Sequence, residues 1–411
     1  MPSPRARLDR TKPPGDADPF AGRDMLCFSH DWSGDPLSKT HLMRILARRG
    51  RVLWVNSIGY RAPSATRRDL ARAVRKLLSA AGPIREPEPN LHVLSPLVVP
   101  AYGRPAVRAL NRRLLRFQVR RAMNTLGFSR PINWVFNPAA ALVAGSLGEE
   151  LLIYYCVDEY RAFSGVPSAS LVTMERDLLG IADLVVTSSE TLRAAKARHH
   201  PGTVLVRHGV DWFHFRRATD GGTPVPADIA SLPRPILGYF GLIADDWVDQ
   251  PLLVHLARSM PTASIVMLGR ATTDTSRLSA CPNIHLLGHR PYASLPQYCR
   301  AFDAALIPFP INDATLHSNP LKAREYLAAG LPVVSTAIPE VEALGLCRLG
   351  RTPDEFVAQA RAALAEPGPD VRRSDALRAH SWESRVDDIR GYVRSLLADR
   401  TFAFHRSRGA A

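Results

Sequence analysis

Lys322, Arg324 and Glu325 stand close together in the stretch "HSNPLKAREYLAAGLPVVST", which runs from His317 to Thr336. A cation and a carboxylate at that spacing could serve a phosphate and a sugar hydroxyl respectively. Asn319 suits an N-cap, and Pro320 suits the first helical position, where its missing N–H costs nothing. Gly330 suits the residue just past the helix end, and "PVVST" reads as a buried strand. The N–H groups of Leu321, Lys322 and Ala323 would then lack helical partners and face the loop. A helix start of this kind, carrying a lysine, can hold a phosphate. Glu325, one turn further in, is placed to accept hydrogen bonds from sugar hydroxyls. The competing reading is a capped surface helix with a Lys322–Glu325 pair, worth roughly 0.3 kcal/mol.

Other residues able to do chemistry sit near strand ends. Asp158 and Glu159 close the run "LLIYYCVDE". Adjacent side chains point apart, so they are no glycosidase dyad, but a strand's carboxyl end is where ligands of open α/β sheets bind. His208 in "RHGVD" could reach such a site or sit in the core. Asp211 reads as a cap for the following turn. Trp32, Asp35, Ser38 and Lys39 lie in or beside the first βα loop, with Ser38 also a possible N-cap.

Stretches of alternating character must position these groups. "MLCFSHDWSGDPLSKTHLMRILARRGRVLWVNS" reads strand, loop, helix, strand. "LHVLSP", "INWVFN", "LLIYYCVDE" and "DLVVTSS" follow as further strands between helical stretches. After a Pro/Gly-rich stretch, "RRATDGGTPVPADIASLPR", the pattern restarts with "PILGYFG", "ASIVMLG", "IHLLG", "AALIPF" and "LPVVST". This alternation predicts an α/β chain of two Rossmann-like, doubly wound domains facing across a cleft. The expected organisation is a disordered tail over 1–20, a first domain over 21–212 and a linker over 213–234. A second domain over 235–375 follows, then a helix over 376–400 that could cross back, and a tail over 401–411. Neither half carries G-x-G-x-x-G or a Walker A sequence, which argues against nicotinamide enzymes and P-loop NTPases.

Composition narrows the partners. The chain has 411 residues and a net charge of +15, of which +13 falls within residues 1–212. Such asymmetry points to an anionic partner for one domain. "RPAVRALNRRLLRFQVRRAM", Arg104 to Met123, places Val107, Leu110, Leu114 and Phe117 at helical spacing. Arg108, Arg112, Arg113, Arg116, Arg120 and Arg121 cover the rest, with no acid. "RRDLARAVRKLL", Arg67 to Leu78, is a second basic amphipathic stretch. Two readings compete: an anionic membrane surface held by Arg108, Arg112, Arg116 and Arg120, or ordinary helices with apolar stripes in the core. The five scattered cysteines form no CxxC and read as reduced, as in a cytoplasm. No metal-ligand spacing, membrane span or signal-peptide core is visible. The expected location is therefore cytoplasmic, with a peripheral place on the inner membrane face compatible with the charge.

Several motifs, in order, resemble retaining glycosyltransferases of family 4. "ADLVVTSSETLRAA … VRHGVDWFHF" is similar to the end of that family's N-terminal domain. "IHLLGHRPYASLPQYCRAFDAALIPF" resembles its intervening segment, and "NPLKAREYLAAGLPVVST" its donor-binding helix with the E-x7-E motif. "DWSGDPLSKTHLMRILA" and "YYCVDEYRAF" resemble a bacterial branch near teichuronic-acid and capsule glycosyltransferases.

The resemblance implies a B-type glycosyltransferase fold and transfer with retention, usually without a metal or other cofactor. The nucleotide-sugar donor would sit on the second domain and a glycan or lipid-linked acceptor on the first. Glu325 then holds the ribose hydroxyls while the N–H groups of Leu321 and Lys322 receive the donor phosphate. Ser318, Asn319, Gly241 and His208 complete the donor surroundings, and Trp32, Asp35, Ser38 and Lys39 form the acceptor loop. Three positions depart from the pattern. His317 stands where the first glutamate of E-x7-E belongs. "LIADDWVDQ" offers acids where the family has Arg and Lys, so that Lys322, Arg324 or Arg270 must compensate. Asp158 or Glu159 replaces a histidine after "LLIYYC" and becomes the catalytic candidate. A nucleotide-sugar 2-epimerase would want more acids and histidines in the cleft. An arginine-rich nucleic-acid-binding protein would want interleaved aromatics; the Arg104–Met123 stretch has Phe117 alone, so no nucleic-acid partner is expected.

Overall fold

The computed structural model describes residues 18–32, 35–58, 83–99, 104–162, 168–366 and 368–409. Two separate sheets divide the chain. The first contains β1 (Met25–Phe28), β2 (Val52–Val55), β3 (Arg85–Glu88), β4 (Leu91–Leu94), β5 (Ile132–Val135), β6 (Leu151–Cys156), β7 (Leu184–Thr187) and β8 (Thr203–Leu205). Their spatial order is β3-β4-β2-β1-β5-β6-β7-β8. Every pairing is parallel except the β3–β4 hairpin at the edge. Strand β3, "REPE", has no apolar run and carries no hydrophobic signal. It exists because the hairpin positions it, with Asn90 in the left-handed region at φ 63°.

The second sheet contains β9 (Ile236–Phe240), β10 (Ser264–Leu268), β11 (Ile284–Gly288), β12 (Ala304–Ile307), β13 (Val333–Thr336) and β14 (Arg348–Gly350), all parallel, ordered β11-β10-β9-β12-β13-β14. The two sheets are thus doubly wound, with strand order reversing beside β1 and beside β9. Crevices at these reversals are the usual ligand sites of such folds. Most inner strands are buried end to end, as parallel strands covered on both faces must be.

One face of the first sheet packs against the helix Ser38–Ala47 and the last helix, Trp382–Gly409. Trp382, Val386, Ile389 and Val393 are buried there with Leu42 and Leu46. The chain therefore returns to the first domain after the second is complete. Its helix extends past the expected end at 400, so residues 401–409 continue it rather than form a tail. Two further boundaries differ from expectation. Phe20 is buried under the first sheet and Asp18 pairs with Arg49 and Arg390, so order begins before residue 21; residues 1–17 lie outside the described residues. The stretch expected as a linker places Phe215, Ala218 and Ile229 in the core of the second domain, so most of it is part of that domain.

The helix Pro105–Leu126 covers the opposite face of the first sheet. Its core stripe is Asn111, Leu115, Val119, Ala122 and Met123, not the expected Val107, Leu110, Leu114 and Phe117. Both sets have helical spacing, and packing against the sheet buries the one that includes Asn111, whose amide bonds Val99. The second basic stretch, Arg67 to Leu78, lies outside the described residues.

Candidate functional site

The helix Leu321–Ala328 follows β12 and leads through Gly330 (φ 79°) into β13. Gly330 and Leu331 donate to the carbonyls of Leu327 and Tyr326, which closes the helix end in a Schellman arrangement. Its beginning differs from expectation. Pro320, not Asn319, is the capping residue, and no side chain caps the helix. The Asn319 amide is drawn elsewhere: it donates to the Ser188 carbonyl of the first domain (2.7 Å) and accepts from buried Arg324 (2.6 Å). Arg324 is thereby a structural cation, not a phosphate ligand. Ala323 N–H donates to the Pro320 carbonyl (3.3 Å), and the N–H groups of Leu321 and Lys322 stay open among the described residues.

Lys322 extends from this start over Tyr239 and Phe309, with Nζ 5.6 and 5.5 Å from their ring centroids. The expected Lys322–Glu325 ion pair is not among the contacts formed. Gly241 (φ 141°) makes the lysine's path possible, because a Cβ there would stand 2.2 Å from Lys322 Cε. From the first domain the helix Ser38–Ala47 begins in the same way. Leu37 is the capping residue, so Ser38 is not the N-cap, and Lys39 lies in the first turn. Both helix starts line one cavity of about 220 Å³ between the domains. Lys39, Asp158, His208, Ser318, Asn319, Leu321 and Lys322 contribute to its wall, with Phe309 and Trp247 as the apolar part.

Burial sets the electrostatics. It lowers the proton affinity of Lys39, against the charges of Asp158 and Cys27. It lowers that of Lys322 against Glu325. Behind the cavity wall, which Glu325 does not line, burial pushes the Glu325 carboxyl up to about 7, opposed by Lys322 and reinforced by Asp211 and Asp35. Asp158 is raised by burial and pulled back by Lys39. Burial, with the charges of Arg324 and Lys39 behind it, holds His208 down at about 3, and its buried Nδ1 has no partner among the described residues. The cavity thus joins two partly desolvated lysines and two open helix N-termini, an arrangement that favours a multiply charged anion.

Asp158 and Glu159 point apart. Glu159 is buried in a network with Lys196 (3.0 Å) and Arg161 (3.0 Å), while Lys196 also reaches Glu175 (2.9 Å). Desolvation opposes its charge, but the bonds from Arg161 and Lys196 win and hold it at about 2. Asp158 alone faces the cavity. Other expected members lie elsewhere. His317 turns its Nδ1 onto its own helix, at the Asp313 carbonyl (2.8 Å), and Arg270 is exposed outside the cavity wall. Trp32 packs edge-on against Trp54 beneath the Arg44 guanidinium. Asp35 crosses the cleft to His289 Nε2 (2.8 Å) and the Tyr292 N–H (3.0 Å), so it clasps the domains. A second set of bridges runs from Ser189 and Thr191 to the carbonyls of His317 and Leu316. Sequence reasoning missed these clasps because each joins residues more than a hundred positions apart. It also missed the aromatic bed of Tyr239 and Phe309, whose one signal was a ring at each strand end. Among the described residues no group of three or more His, Cys, Asp or Glu side chains could hold a metal ion.

Residues 234–366 match the family model of group 1 glycosyl transferases. A putative teichuronic acid biosynthesis glycosyltransferase, TuaH, of Bacillus subtilis (strain 168) is 24% identical over 296 residues, which are 63% of this chain and 71% of that protein. The chain is a glycosyltransferase. Solved structures agree on the fold. Sucrose-phosphate synthase from Thermosynechococcus elongatus superposes with a TM-score of 0.65 at 15% identity, covering 92% of this glycosyltransferase and 100% of that chain. The E. coli structure described as trehalose-6-phosphate bound with UDP-2-fluoro glucose gives 0.65 at 12%, covering 90% and 99%. Anabaena HepE in complex with UDP gives 0.62 at 14%, covering 91% and 100%. The fold of this glycosyltransferase is therefore the two-domain B-type, and its paired-lysine cavity lies in the cleft between the domains.

Proposed function

We propose that the chain moves a sugar from a nucleoside-diphosphate sugar to a hydroxyl of a cell-envelope or lipid-linked glycan, with retention of configuration and without a metal. The observation that carries this reading is the pair of open helix starts, one from each domain, that bring Lys39 and Lys322 to one cavity. The diphosphate lies against the N–H groups of Leu321 and Lys322 and near Lys322 Nζ. Glu325 accepts from the ribose hydroxyls. The acceptor hydroxyl approaches from the first domain beside Lys39, Asp158 and His208.

In the transfer step the acceptor oxygen bonds to the anomeric carbon as the bond to the diphosphate breaks. The leaving charge is held by the two lysines and the open N–H groups. The acceptor's proton goes to the departing phosphate oxygen on the same face, and Asp158 orients the attacking hydroxyl. UDP is the first nucleotide to test, because one structural neighbour is in complex with UDP and another is bound with a UDP-sugar analogue. The envelope acceptor is supported by the stated role of the Bacillus relative. On this reading the enzyme acts at the inner face of the cell membrane.

The test is a thermal-shift panel of nucleoside diphosphates and sugar nucleotides, followed by calorimetry on those that respond. At least one diphosphate is expected to raise Tm, and Glu325→Ala to weaken it tenfold or more. This follows from two hydroxyl bonds to a charged acceptor at roughly 1.5–3 kcal/mol each. A panel with no response in the parent would sink the donor assignment. Transfer is expected to persist in excess chelator; its loss, with recovery on adding a divalent ion, would refute metal independence.

A further inference from the structure

The helix Pro105–Leu126 presents a second apolar stripe that the core does not use. Leu110 and Phe117 are 46% and 64% exposed, and Leu114 joins them at the i, i+4, i+7 spacing of one helical face. Two amide side chains on the core side of this stripe tie a neighbouring segment to it. Gln118 accepts from the Leu97 N–H (2.8 Å) and donates to its carbonyl (2.9 Å). Asn111 does the same for Val99, at 2.8 Å in both directions. These paired bonds hold residues 97–99 alongside the helix and keep Leu97 and Val99 outside, at 41% and 39% exposure. Arg113, Arg116 and Arg121 are exposed on the same helix, which contains no acid along its length.

We propose that this face docks on an anionic lipid bilayer. Leu97, Val99, Leu110 and Phe117 enter the headgroup layer while the arginines meet lipid phosphates. Charge complementarity selects the occupant, since a helix whose only charges are positive, beside exposed apolar side chains, suits a surface that is anionic outside and apolar beneath. RNA would want several stacking rings, and Phe117 is alone. The 97–99 segment leaves the carboxyl end of β4, the edge of the sheet that also carries the cleft cavity. Docking here therefore brings the acceptor side of the enzyme toward the bilayer. The inference deepens the lipid-linked acceptor reading above, but its test uses neither donor nor acceptor.

The full chain is sedimented with vesicles of phosphatidylcholine alone and of phosphatidylcholine with phosphatidylglycerol, at rising salt. Co-sedimentation with the anionic vesicles only, reversed by salt, is expected. Arg113→Glu with Arg116→Glu should weaken it at least tenfold. Phe117→Ser, which leaves every charge in place, should weaken it severalfold. Thermal melting of both variants at the parent's Tm, measured on the same preparations, reports that they are folded. Equal sedimentation with neutral vesicles, or parent-like binding by both variants, would overturn the proposal. So would RNA binding with the same salt dependence and no lipid preference. Vesicle binding without any nucleotide binding in the parent would instead leave the surface standing and sink the donor site.

Discussion

The two helix starts that meet at the cavity are alike in plan and different in support. Each lacks a side-chain cap, each carries a lysine in its first turn, and burial depresses both lysines. Lys322 lies on a fixed bed of two rings above a glycine, and its helix is anchored by Arg324, Asn319 and the Schellman turn at Gly330. Lys39 has no ring beneath it among the described residues. Its helix is held from behind, where His41 stacks on Trp382 at 5.5 Å, and the loop before it is held by the Asp35 clasp. On the proposed reading, the second domain thus presents a preformed anion cradle. The first presents a cation on a helix whose preceding loop is tied to the second domain through Asp35. That is a sensible division if one side binds a constant diphosphate and the other a variable acceptor.

Acid should separate the two regions most strongly. Burial lowers His41 to about 4, and His30 and His208 to about 3, all in the first domain. A depressed histidine stabilises the fold above its ordinary value near 6.5, and that contribution is lost as pH falls below it, because the unfolded chain takes up the proton first. Glu325 has the opposite sign. Its raised value means that the folded state binds the proton first between about 7 and 4.5, so acidification relieves a buried charge in the second domain. A tenfold change in proton affinity corresponds to about 1.4 kcal/mol, and three histidines lose it against two carboxyls that gain, Glu325 and Asp158, so the loss in the first domain dominates. Tm should fall steeply between pH 6.5 and 4, and His41→Phe should flatten the fall. Hydrogen exchange should show the Ser38–Ala47 helix opening before the Leu321–Ala328 helix. Simultaneous opening of both would erase the distinction.

Substituting the lysines tests the same comparison at the ligand. Lys322→Ala should cost roughly 1.5–3 kcal/mol of diphosphate affinity, about ten- to a hundredfold, since it removes a charge-assisted contact from a preformed site. Lys39→Ala should leave nucleotide affinity within about threefold and lower the turnover instead. Equal losses of nucleotide affinity in both variants would mean that the two starts share the diphosphate evenly. A subtler readout is pH: nucleotide affinity should rise as pH goes up through about 7, where Glu325 ionises and becomes a full acceptor. Glu325→Gln should remove that dependence, and a parent profile without it would take Glu325 off the ribose.

Much of this architecture was legible from local pattern. The inner parallel strands are apolar runs bounded by turns, and such runs can be read without knowing their neighbours. Glycine at 330 and lysine at 322 were equally local signals. Two failures were cases where distant residues compete for a group. Asn319 looked like a cap, but a carbonyl in the other domain and the buried Arg324 claimed its amide. Asp35 looked like an acceptor-loop acid, but the loop after β11 claimed both of its oxygens. The helix Pro105–Leu126 carries two stripes of valid periodicity, and only the shape of the sheet beneath could choose between them.

The smallest expected effect concerns the Asp35 clasp. Its contacts are largely exposed, and an exposed ion pair is worth roughly 0.2–1 kcal/mol, so Asp35→Asn should barely move Tm. Asparagine keeps the size of the side chain and can still accept the Tyr292 N–H, but it lacks the second carboxylate oxygen that meets His289 Nε2. If the clasp merely decorates the surface, nothing else should change. If it sets how far Lys39 stands from the diphosphate cradle, KM for the acceptor should rise severalfold while nucleotide affinity stays level, because the Leu321–Ala328 start does not depend on the clasp. Asp35→Ala, which deletes both contacts, should deepen the same split between the two substrates. A uniform loss in both would show that the clasp supports the second domain's cradle as well, and that the cradle is less self-sufficient than its aromatic bed implies.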